Sequence, residues 1–132
     1  MASLFTKADE FDALLARAPK RAVPLWEVDD ADLAEDAPLA EAYRLLRSIP
    51  NVGKVTASKL LACKRPNLVP IRDSVVEQLL GAGELWWRPW RDVVANETIR
   101  TTIEAITPPA VPAGTSVLRR LDVILWMVGK GK

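Results

Sequence analysis

The sequence predicts an all-α fold, a compact domain of about seven helices, and three observations carry that expectation. Apolar residues recur at three- and four-residue steps in successive stretches, the spacing that lines one face of a helix. Prolines, glycines and helix-capping side chains punctuate those stretches at short intervals. Neither an internal repeat nor a low-complexity tract interrupts them, so the chain reads as one domain over 1–132, long enough to bury a core without disulfides or metals.

The first stripe, Leu4, Phe5, Ala8, Phe11, Leu14, Leu15 and Ala18, predicts a helix over 4–18 that Pro19 closes. Beyond Pro24, Asp29 or Asp30 is placed to cap a short helix over 31–37, with carboxylates near the positive end of its dipole. Pro38 suits the first turn of the next helix, which Leu39, Ala42, Tyr43, Leu45 and Leu46 continue until Ser48 and Pro50 break it. A tight turn is expected at Asn51-Val52-Gly53, then a helix over 55–63 with Ala57, Leu60 and Leu61 on its buried face. Lys64-Arg65-Pro66 stops that helix, and Pro66 and Pro70 hold 67–71 extended.

Asp73-Ser74 caps the following helix, whose core face is Val75, Val76, Leu79 and Leu80, before Gly81 and Gly83 end it. Trp86, Trp87 and Trp90 fall in or beside a short helix bent at Pro89. Asn96 caps a helix over 97–106 that Pro108-Pro109 closes, and Thr115 or Ser116 caps the last, over 117–128. That last helix is apolar around most of its circumference, so a central position is expected for it.

Composition excludes several kinds of chemistry. The chain has no histidine, which removes the commonest general base, the histidine-containing nucleophilic triads and the usual transition-metal ligands. Cys63 is the only cysteine, so no internal disulfide and no cysteine-based zinc cage can form, and a reducing cytoplasm suits the chain. No metal and no organic cofactor is implied. The first ten residues carry three charges and no long apolar run, and no window approaches the roughly 20 apolar residues of a bilayer span. A cytoplasmic protein with no membrane contact is therefore expected.

The net charge of +1 conceals a polarised distribution. Residues 1–47 hold ten acids and six bases, and residues 48–132 hold seven acids and twelve bases, so −4 is followed by +5. Within 27–36 there are six carboxylates and no base, which reads first as a capped, solvated helix and alternatively as a nucleic-acid-mimicking or autoinhibitory surface. Within 42–72 there are seven bases, Arg44, Arg47, Lys54, Lys59, Lys64, Arg65 and Arg72, and no acid.

The run Leu45-Leu46-Arg47-Ser48-Ile49-Pro50-Asn51-Val52-Gly53-Lys54-Val55-Thr56-Ala57-Ser58-Lys59-Leu60-Leu61 resembles the helix-hairpin-helix motif, placed at about 39–63. The core of that motif is a glycine-hydrophobic-glycine turn. Asn51 stands at the first glycine and tolerates a left-handed backbone better than most side-chain-bearing residues. Such a turn entering a helix aims unpaired main-chain amides outward at the positive end of the dipole, where a phosphate is favoured. The expectation is sequence-nonspecific binding of a DNA backbone, or of RNA, by Asn51, Val52, Gly53 and Lys54, with Lys59, Lys64 and Arg65 as supporting charges. The plain structural alternative is a helical corner with a solvated basic rim.

Residues 45–76 also resemble the corresponding stretch of the base-excision DNA glycosylase superfamily, in which an extended segment leads to an aspartate capping a helix. The resemblance implies a catalytic role for Asp73, stabilising a cationic sugar or helping to activate the nucleophile. Val55 stands where bifunctional members carry a lysine, so lyase chemistry is not implied. An N-cap alone accounts for Asp73 unaided, which tips the reading away from an enzyme. The three tryptophans could stack a flipped base, although core packing is the commoner use of such a cluster.

More of the chain, residues 45–66, 70–73 and 116–127, is similar to an uncharacterised family of small actinobacterial proteins. That resemblance places Lys59, Lys64, Arg65, Asp73 and Asp122 in one recurrent framework without naming an activity. Asp122 lies in an otherwise apolar helix, so a buried ion pair with Arg65, Arg72 or Arg119 is expected, and a second carboxylate facing Asp73 is the alternative. Two rivals stand beside nucleic-acid binding: a minimal or vestigial glycosylase-like hydrolase using Asp73, and a protein-interaction module of antitoxin or immunity type.

Overall fold

A computed structural model describes residues 4–80, 83, 85–106 and 115–130. Among these, all regular structure is helical. The helices are α1 (Leu4–Arg17), α2 (Pro38–Arg47), α3 (Lys54–Lys64), α4 (Ser74–Leu80), α5 (Trp87–Val94), α6 (Glu97–Ile106) and α7 (Val117–Lys130), with short 3-10 turns at Leu25–Glu27 and Asp30–Leu33. None of the described helices is long and apolar enough to cross a membrane.

Local chemistry sets several of these boundaries. Pro38 occupies the start of α2, where its missing N–H costs nothing. Asp73 Oδ1 accepts from the amides of Val75 at 2.8 Å and Val76 at 3.2 Å, and so opens α4. Asn96 Oδ1 accepts from Ile99 N at 3.1 Å ahead of α6, and Ser116 Oγ from Arg119 N at 3.3 Å ahead of α7.

The helices pack in pairs, α1 on α2, α2 on α3, α4 on α7, and α6 on both α5 and α7. Leu25, Leu33, Leu39, Leu61, Leu68, Trp86, Trp87 and Leu118 are fully buried between them, and each such side chain contributes roughly 1.5–3 kcal/mol relative to exposure. Trp86, Trp87 and Trp90 belong to this core. Their polar edges are satisfied inside it, since Trp86 Nε1 donates to Pro70 O at 2.8 Å and Trp87 Nε1 to Leu33 O at 3.1 Å. No face of these rings is left to stack a flipped base.

Four sequence expectations are corrected. The helix over 31–37 is only the 3-10 turn Asp30–Leu33, and Asp29 caps it without a side-chain hydrogen bond. Residues 66–68 form a turn, with Val69 N bonded to Arg65 O at 2.9 Å, so 67–71 is not extended throughout. Leu60 is 45% exposed, and α3 buries Ala57, Ser58, Leu61 and Ala62 instead. The last helix is not central: Leu118 and Leu121 are buried, whereas Trp126, Met127 and Val128 face solvent. Its apolar circumference overstates its burial because α4 and α6 pack on only part of it, leaving Trp126, Met127 and Val128 exposed. Gly81 and Pro108-Pro109, expected to end helices, lie outside the described residues.

Candidate functional site

The corner between α2 and α3 is built by residues 48–53. α2 closes with Ser48 N donating to Arg44 O at 3.0 Å and Ser48 Oγ to Leu45 O at 2.6 Å. The chain then turns through Val52 N to Ile49 O at 3.1 Å. Asn51 takes a left-handed φ of 69°, the conformation its residue type was expected to supply. Val52 is half-buried against the core, while Asn51, Gly53 and Lys54 are exposed.

Gly53 enters α3 in an extended conformation, and no side chain caps the helix start. Its carbonyl accepts from Ala57 N at 2.9 Å, and no described hydrogen bond engages the main-chain amides of Gly53, Lys54, Val55 or Thr56. A Cβ placed on Gly53 would meet nothing within 4 Å, so there is open space beside the turn at this residue. Four unsatisfied N–H groups at the positive end of an 11-residue helix make this an electrostatically favourable place for an anion.

A buried polar network holds the corner from beneath. The Tyr43 hydroxyl on α2 donates to Lys54 O at 3.2 Å and accepts from Arg72 Nη1 at 3.3 Å. Arg72 Nε donates to Glu77 at 2.5 Å, its guanidinium lies 5.0 Å from the Trp86 ring centre, and its main-chain N donates to Ser58 Oγ at 2.9 Å. Burial pulls the Arg72 pKa down, but the hydrogen bonds to Glu77 and then Tyr43 outweigh it and leave the guanidinium more basic than usual. Arg72 is only 6% exposed, so this member of the basic run belongs to the interior.

The other bases divide between solvent and fold. Lys54, Lys59 and Lys64 are exposed, and Lys54 Nζ lies 3.9 Å from Glu77. Arg65 is half-buried and holds α1, with Nε on Pro19 O at 2.7 Å and Nη2 on Leu15 O at 2.9 Å. Burial, then Arg21 nearby, lowers its pKa. Lys7 was not foreseen: its Nζ donates to Ser48 Oγ at 3.2 Å and Ser48 O at 3.4 Å, bringing a cation from α1 to the turn. Nothing local in the sequence signals a contact across 41 residues.

Asp73 is the cap of α4, with Oδ1 committed to two amides. Asp122 forms no ion pair among the described residues, which corrects the expected buried pair: Arg72 is taken by Glu77 and Arg65 by carbonyls. Burial raises the Asp122 pKa, the Asp73 charge raises it further, and Arg119 only partly opposes this. Arg119 itself is made less basic by burial, and its Nη1 has no hydrogen-bond partner among the described residues. Asp122 thus feels the Asp73 charge, yet neither aspartate lines any of four surface clefts of the structure.

No curated protein and no solved structure matches the chain significantly, so the resemblance of residues 45–76 to glycosylases gains nothing from such comparisons. A family model covers residues 1–129, nearly the whole sequence. The chain belongs to that family, DUF6308, a family of unknown function.

Proposed function

We propose that this protein binds a nucleic-acid backbone, DNA or RNA, without reading its sequence, through a helix-hairpin-helix corner made by α2, residues 48–53 and α3. The observation that carries this reading is the open, uncapped start of α3, with Gly53 facing empty space and four amides unengaged. Main-chain donors favour a phosphate oxygen and carry no base information. Exposed Lys54, Lys59 and Lys64 supply screening-sensitive attraction, and Lys7 adds a cation beside Ser48, where the turn begins. Arg65 supports the corner by tying α1 to it rather than by meeting the ligand.

The test is a titration of fluorescently labelled duplex at increasing salt. With about three phosphates engaged, log K should fall with log salt at a slope near −3, since each B-DNA phosphate contributes about −0.9. Gly53→Phe should keep the helical content, because the added side chain points into open space, and should weaken binding markedly. No association at low salt would remove the proposal.

A further inference from the structure

We infer that the groove on the acidic side of the molecule, between α1, α2 and the segment after Leu33, is a docking site for a basic amphipathic segment of a partner protein. Two adjoining clefts form it, of about 530 and 640 Å³, and they share Glu41 and Arg44. Ala13, Leu14 and Leu45 give the first an apolar floor. Glu10 and Glu41 stand on its walls, and Glu35 and Asp36 on those of the second.

Charge complementarity identifies the occupant. All four carboxylates are exposed, and no described cation closes an ion pair on any of them. The single guanidinium in the groove, Arg44, donates through Nη2 to Glu35 O at 2.6 Å, so it fastens the second cleft to α2. An anionic ligand would meet four like charges there. A segment with lysines or arginines along one face and leucine-sized side chains along the other satisfies both the walls and the floor, which is how amphipathic helices engage grooves. Rim charges of this kind act mainly on association rate and partner choice. The groove is separate from the uncapped start of α3 and does not depend on nucleic-acid binding there.

The experiment measures fluorescence anisotropy of a labelled amphipathic peptide of lysine and leucine against the full chain, beside a glutamate and leucine peptide of the same pattern. The lysine peptide should bind, and Glu10→Lys with Glu41→Lys should weaken it at least about tenfold. Glu104→Lys, an exposed substitution on α6 away from the groove, should leave it unchanged. Equal loss in both variants, no binding of the lysine peptide, or equal binding of the glutamate peptide would overturn the inference. Self-association that the groove variant abolishes would assign the groove to a second copy of this chain and overturn it equally.

Discussion

The hydroxyl of Tyr43 donates to the carbonyl of Lys54 at 3.2 Å, joining the middle of α2 to the first residue of α3 across the turn. The same oxygen receives Arg72, so one buried side chain fixes the angle at which the corner presents its amides. Tyr43→Phe preserves the ring against Trp86, 4.5 Å away, but strips a partner from both Lys54 O and Arg72. A loss of about 1–2 kcal/mol in urea unfolding is expected, with weaker duplex binding at unchanged helical content. An unchanged midpoint would show that the bond contributes nothing to the corner.

Asn51 sits at φ 69°, where β-branched residues are strained. Asn51→Gly should be tolerated, whereas Asn51→Val should cost about 1–2 kcal/mol. The comparison is made by thermal unfolding of the two variants. Equal stability would mean that the turn relaxes to another conformation.

Gly129 is a close approach of α7 to α4, since a Cβ there would lie 2.3 Å from Val75 Cγ1. Alanine would gain at most about 1 kcal/mol in helix propensity, less near a helix end, against about 1–3 kcal/mol for overpacking. Gly129→Ala should therefore destabilise, and adding Val75→Ala should restore much of the loss. The readout is the denaturation midpoint of both variants, and a stabilising single substitution would contradict the packing.

Asp122 has a folded-state pKa above that of an unfolded aspartate, so the folded chain holds its proton more tightly. The stability this contributes is complete below the unfolded value and is lost as pH rises through the folded one. Unfolding followed across acidic to neutral pH should show Asp122→Asn gaining on the parent as pH rises, with the advantage gone at the acid end. The opposite slope would mean that Arg119 stabilises the carboxylate more than burial penalises it.

Much of this architecture was legible from local pattern. The stripes marking α1, α2 and α4 recur at helical spacing, and the caps Asp73, Asn96 and Ser116 bond as their residue types predict. Asn51 was legible for the same reason, because its side chain alone decides the backbone conformation it tolerates. What failed in these places was set by distant neighbours. Leu60 matched the spacing of α3 but faces solvent, and Trp126, Met127 and Val128 near the end of α7 do the same. Arg72, counted in the basic run and offered as a partner for Asp122, is instead enclosed by Glu77, Tyr43 and Trp86. Lys7 at the turn depends on α1 packing along α2, a contact that no short window of sequence contains.

The most direct test of the central claim is an amide NMR titration of isotope-labelled protein with short duplex DNA and, separately, single-stranded RNA. With either nucleic acid the account predicts saturable shifts concentrated at Asn51, Gly53, Lys54, Val55 and Thr56, diminishing as salt rises. Shifts that spare these residues and gather elsewhere would contradict it.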